Sequence, residues 1–86
     1  MNKQNVRTPA EALAYITDCT LATVCDMALR KSRPKGEYRR QKAIAQKAID
    51  WMDEMGVDYT GTRAVEVSRT GSVDEWAKGF ELEAGT

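Results

Sequence analysis

Asp50, Asp53 and Glu54 lie within one helical turn and a half of one another, and Asp74 and Glu75 form a second acidic pair. Paired carboxylates are the raw material of general acid–base catalysis, and Asp50 with Tyr59 is the combination here that comes nearest to it. The chain has no histidine. That removes the commonest general base, the commonest metal ligand and the usual pH switch. No Ser–His or Cys–His combination, glycine-rich phosphate loop or metal-binding carboxylate motif is present. Helix-surface carboxylates at these spacings ordinarily form a solvated face, so the sequence predicts no enzyme and no cofactor.

Sulfur offers no more. Cys19 and Cys25 stand six residues apart, which on a helix separates their Cα atoms by ~9 Å along the axis and turns them ~240° apart, beyond disulfide reach. With no histidine and no third cysteine they cannot build a zinc site. Both read as small core residues in a reducing, cytoplasmic compartment.

The cations are more informative. Residues 30–47 carry Arg30, Lys31, Arg33, Lys35, Arg39, Arg40, Lys42 and Lys47 against Glu37 alone, whereas residues 48–86 hold nine carboxylates against Arg63, Arg69 and Lys78. The total is balanced, 13 basic against 13 acidic residues. No net field therefore draws the molecule to nucleic acid or to an acidic membrane. Several of the cations fall where a second helix should begin, at the end of a helix whose free N–H groups already make the field positive. Cations stacked on free N–H groups suit a phosphate or carboxylate ligand. Arg30, Lys31, Arg33, Lys35, Arg39 and Arg40, with Tyr38 as a ring to stack on a base, are the candidate ligand- or partner-binding residues. A solvated basic turn is the plainer reading of the same residues, with Tyr38 closing the core.

The elements that would position these groups are mainly helical. Thr8, Pro9 and Glu11 form a Thr-x-x-Glu capping box with proline at the first helical position, predicting a helix over about 9–31. Ser32-Arg33-Pro34-Lys35-Gly36 breaks it, because a residue before proline is pushed out of helical geometry. A second helix is predicted over about 37–55, stopped by Gly56. The short turn makes the two an antiparallel hairpin. On the second helix Ile44, Ala45, Ile49, Ala48, Met52 and Met55 share one apolar arc, edged by Trp51 and Tyr38. Leu13, Ile16, Thr20, Val24 and Met27 are expected to pack against Ile44, Ala48, Met52 and Met55.

The first helix is apolar over an arc of roughly 240°, much wider than the ~100° stripe that one neighbour covers. Either the C-terminal third folds back over it, through Val65, Val67, Trp76 and Phe80, or a second copy does. A homo-oligomeric bundle is the expectation, most simply a dimer of hairpins. Its interface would draw on Leu13, Ile16, Thr20, Val24, Met27 and Gln41, a polar residue in mid-arc that either sets register or, one turn from the helix end, reaches solvent.

Residues 57–80 form a covering segment within a single domain. In it Ala64-Val65-Glu66-Val67-Ser68 reads as a short strand between Gly61 and Gly71. Ser72-Val73-Asp74-Glu75 opens a short helix that ends near Gly79, and residues 81–86 read as frayed. No apolar run approaches the ~18 residues of a membrane span.

Small size, absent catalytic groups, a surplus of apolar helix surface and polarised charge point first to a non-enzymatic binding or inhibitor protein with a host protein as partner. The alternative is an oligomer that sequesters a nucleotide, or holds nucleic-acid phosphates, at the basic hairpin tip. In overall character the chain resembles accessory proteins of bacteriophages and other mobile elements, among them inhibitors of host defence.

Overall fold

The computed structural model describes residues 8–30 and 33–85. Four helices follow in order: α1 (Pro9–Ala28), α2 (Lys35–Met55), α3 (Ala64–Thr70) and α4 (Val73–Gly85). The protein is mainly helical, and no strand occurs among the described residues.

α1 starts as its sequence dictates. The Glu11 N–H donates to Thr8 Oγ1 at 3.1 Å and the Thr8 N–H donates to Glu11 Oε1 at 2.9 Å, closing the capping box. The helix ends at Ala28, short of the expected Lys31, which lies outside the described residues. Arg33 accounts for the early stop: its guanidinium donates to the Met27 and Ala28 carbonyls at 3.2 and 2.9 Å, satisfying acceptors that a helix end leaves open. α2 starts two residues earlier than expected. Pro34 serves as N-cap in extended geometry, and its carbonyl accepts the Tyr38 N–H at 2.9 Å. Gly56, at φ 68°, terminates α2, and the Val57 N–H reaches back to the Met52 carbonyl at 2.9 Å.

The strand expected at 64–68 is a helix. A lone strand would leave its backbone N–H and C=O groups without a ladder, and no other described segment supplies a partner. The residues that count are Ala64 and Val67, three apart and both buried, rather than the alternating Val65 and Val67. α4 also runs past its expected end. Ser72 Oγ accepts the Glu75 N–H at 3.1 Å as the capping motif implies, but the helix passes through Gly79 to Gly85. Glu81, at the head of that last stretch, is anchored, because the Tyr38 hydroxyl donates to its Oε2.

α1 packs against all three other helices, and α4 also touches α2 and α3. The core comprises Leu21, Val24, Met27 and Ala28 of α1, Tyr38, Ala45, Ile49 and Met52 of α2, and Ala64, Val67, Val73, Trp76 and Ala77. Trp76 meets Phe80 edge to face at 5.0 Å and donates its indole N–H to Glu66 Oε1 at 3.2 Å. Thr17, buried in α1, donates its hydroxyl to the Leu13 carbonyl at 2.7 Å. The wide apolar arc of α1 is thus covered on one flank by the chain's own C-terminal third.

Candidate interaction surface

The other flank of α1 stays open. Leu13, Ile16, Thr17 and Thr20 form one wall of a groove of about 320 Å³, and Ile44, Lys47, Ala48 and Trp51 of α2 form the other. Neither α3 nor α4 contributes to it. Large apolar side chains stand in solvent along it: Ile16 is 59% exposed, Ile44 48% and Trp51 51%, with Met55 at 62% one turn beyond. Isolated exposed apolar residues are ordinary on a soluble protein, but a contiguous row of them marks a contact surface. The Lys47 ammonium lies over the Trp51 ring at 6.0 Å, its stem along the groove edge.

This division corrects the expected core. Ile16, Ile44 and Met55 face solvent, while Val24, Met27 and Met52 are buried. Val24 and Met27 therefore belong to the interior of one chain and are closed to a second copy. Leu13 and Thr20 are half-buried on the groove wall, where a partner can reach them. Gln41 sits half-buried and donates to Glu37 Oε2 at 2.7 Å, so its amide is held within its own helix. The sequence carried a signal for the split. Ala45, Ile49 and Met52 form one apolar row of α2 and Ile44, Ala48, Trp51 and Met55 a second. Read as a single arc, the two rows looked like one core face.

The basic segment is largely consumed by the fold. Arg30 pairs with Asp26 at 2.6 Å on the surface, and Lys31 lies outside the described residues. Arg33 caps α1 and also sits 5.4 Å from the Tyr38 ring centroid. Lys42 lies 4.4 Å over the same ring and pairs with Asp74 at 3.0 Å. Tyr38 itself is buried beneath these cations, with its phenol pushed well above the usual range by burial and by its hydrogen bond to Glu81. A buried ring cannot stack on a nucleobase, so Tyr38 closes the core. Lys35, Arg39 and Arg40 remain exposed, Arg40 at 3.5 Å from Glu37. The hollow beside Arg39 also contains Asp50 and Asp74, whose carboxylates oppose an anion.

Asp50 and Tyr59 are not hydrogen-bonded to each other. Asp50 accepts from Gln46 at 3.1 Å, while Tyr59 donates to Asp53 at 2.6 Å rather than to Asp50. That hydrogen bond holds the Tyr59 phenol above its usual range on an exposed surface. Cys19 is exposed and Cys25 half-buried, so the cysteines are not both core residues. Burial raises the Cys25 thiol, which keeps it protonated and a poor nucleophile. Among the described residues no three Cys, Asp or Glu side chains gather as a metal site. No described helix is long and apolar enough to cross a membrane.

Three polar anchors escaped the sequence reading. Gln46 Oε1 accepts the Val73 N–H at 2.8 Å and so caps α4 from α2. Asp18 accepts both the Arg63 N–H and its guanidinium, at 2.8 and 2.9 Å, fixing the approach to α3. Glu66 receives the indole of Trp76. Each joins residues at least ten positions apart, and such pairs have no local periodicity to betray them. No family model matches the chain, and neither a curated protein nor a solved structure was found to be similar to it.

Proposed function

We propose that this protein is a small non-enzymatic binding protein whose working surface is the open face of an antiparallel α1–α2 hairpin. The observation that carries the reading is the groove. Its exposed Ile16, Ile44 and Trp51 form a continuous apolar strip, whereas the exposed Leu29 and Leu82 lie outside the groove. Helical grooves of this kind take an amphipathic helix, reading anchors spaced three and four residues apart. An inhibitor that acts by occluding another protein in the cytoplasm is the biological role this surface fits. The second reading, anion capture at the hairpin tip, retains only Lys35, Arg39 and Arg40 of its described residues. Arg33 and Tyr38 are already engaged within the fold and Arg30 is ion-paired, so the reading is the weaker of the two.

Position-specific photo-crosslinking in cells tests the proposal. A photoreactive amino acid at Ile16 or Ile44 should give discrete protein adducts, and the same group at Asp58, exposed outside the groove, should not. Equal labelling from all three positions, or none from any, refutes the assignment of this face.

A further inference from the structure

The two apolar rows of α2 have different fates, and the difference identifies what covers the groove. Ala45, Ile49 and Met52 are buried within the chain. Ile44, Ala48, Trp51 and Met55 repeat at intervals of four, three and four residues, the spacing of a coiled-coil seam. Ile44, Trp51 and Met55 are exposed, and Ala48 lines the groove. Such a seam is both a groove wall and the kind of helix that fills a groove. We propose that the occupant is a second copy of this chain, with the two α2 helices antiparallel about a two-fold axis.

The proposal rests on the reading of the α1–α2 face as an interface, and it follows from the order of residues along the seam. When Ala48 is set against the partner's Trp51 in antiparallel alignment, the large ring meets the smallest side chain of the row. Symmetry repeats this at the other end of the pair, and Ile44 then meets the partner's Met55. Volume is thus matched at every layer, as a packed seam requires. Charge is matched as well. Lys47 and Glu54, both exposed, each precede a seam residue and flank the same side of the helix. In the same alignment Lys47 lies beside the partner's Glu54 and Glu54 beside the partner's Lys47, opposite charges in both places. A parallel pairing would instead turn the two copies of Lys47 to opposite edges of the seam, beside the partner's uncharged row of Ala45, Ile49 and Met52, and neither charge would meet an opposite one.

Area supports a pair. Ile16, Ile44, Trp51 and Met55 are each about half exposed or more. Covering them on both copies removes on the order of 1,000 Å² from water, the lower bound for a specific interface. Across a two-fold axis the patch meets itself, so one surface serves both partners.

Sedimentation equilibrium on the full chain, from low to high micromolar concentration, reads the outcome. The expected mass is twice 9.6 kDa at the upper end. Ile44→Glu should return the monomer mass with its helical circular dichroism intact. Lys47→Glu and Glu54→Lys should each weaken association by about tenfold, since each places like charges together twice. The double variant should recover to within about threefold of wild type. Both charge positions are exposed, so these variants test pairing without threatening the fold.

A wild type that stays at 9.6 kDa throughout overturns the second copy as occupant. The face assignment then still stands if crosslinks from Ile16 and Ile44 lead to a different protein. A dimer indifferent to Ile44→Glu sinks the pairing, and the face assignment falls with it only if Ile16 and Ile44 also give no specific crosslinks. A dimer broken by Ile44→Glu but not rescued by the double charge exchange refutes the antiparallel alignment alone.

Discussion

Ile44 and Ile49 are the same residue type on one helix, and the sequence pattern assigns them to one arc, yet Ile49 is 3% exposed and Ile44 48%. Truncating each to alanine separates the two rows of α2. Ile49→Ala removes three buried carbons, worth about 0.8 kcal/mol each in transfer, or ~2.4 kcal/mol in sum. The cavity left in the core adds to this, so about 3 kcal/mol is expected, inside the 2–5 kcal/mol range of such substitutions. Ile44 loses about half of the transfer term, ~1.2 kcal/mol, and alanine returns a few tenths through its higher helix propensity. Its net effect on an unassociated chain should therefore stay below about 1 kcal/mol.

Urea unfolding followed by circular dichroism measures both effects. With a slope near 1 kcal/mol/M for a domain of this size, Ile49→Ala should lower the midpoint by roughly 2–3 M and Ile44→Ala by less than about 1 M. The comparison belongs at low protein concentration, where association does not contribute. At higher concentration the Ile44→Ala difference should grow, because the wild type gains stability from its partner and the variant does not. Equal shifts for the two variants at low concentration would refute the division of α2 into a buried and an open row.

Gly79 lies inside α4, where an added Cβ meets no atom within 4 Å, so Gly79→Ala should raise stability by about 0.5–1 kcal/mol; a loss in thermal unfolding would show that α4 is not helical there. Arg33→Ala strips two donors from the end of α1 and should destabilise by about 1 kcal/mol, whereas Arg39→Glu with Arg40→Glu should leave folding unchanged or better by a few tenths. Equal effects on the unfolding midpoint would contradict the distinction between a structural and a solvated cation. The Tyr38 phenol has its folded pKa raised above its unfolded value near 10, so its contribution is complete below pH 10 and is lost as pH climbs toward the folded value. The stability gap between wild type and Tyr38→Phe should thus narrow above pH 10; a gap that widens there would show that the Glu81 contact does not hold the phenol neutral.

Local chemistry was legible wherever a motif satisfies its own backbone. The Thr8–Glu11 box, Pro34 before α2 and Gly56 after it each act within a few residues, and each lies where the pattern put it, to within two residues. Failures occurred where distant partners decide. Ala64–Thr70 has a composition that suits either a strand or a helix, and the choice falls to burial of Ala64 and Val67 in the common core, together with the absence of a strand to pair with among the described residues. Residues 81–85 look like a frayed tail until Glu81 meets Tyr38 across 43 positions. The basic segment misled for a related reason. Arg33 and Lys42 look like free cations in sequence, but their targets are the carbonyls of α1, the Tyr38 ring and Asp74.

The same geometry explains why the open face is an expected feature of a chain this short. A domain of 86 residues buries a smaller share of its surface than a larger one, and its total stability is on the order of 4–13 kcal/mol. The C-terminal third has two short helices, enough to cover one flank of α1 and the adjoining row of α2. No described segment remains to cover the second flank, yet that flank carries Ile16, Ile44, Trp51 and Met55 where polar residues would give better solubility. Large apolar side chains in those positions give the isolated fold only about half of what their full burial would, since the exposed half leaves water only when something docks. Occupancy adds a stability that grows by about 1.4 kcal/mol per tenfold excess of partner over its dissociation constant, and for a small domain that is a substantial fraction of the total. With a second copy in the groove as proposed, folding and binding are linked there, and a substitution that polarises Ile44 should leave the monomer folded while removing the concentration dependence of its unfolding.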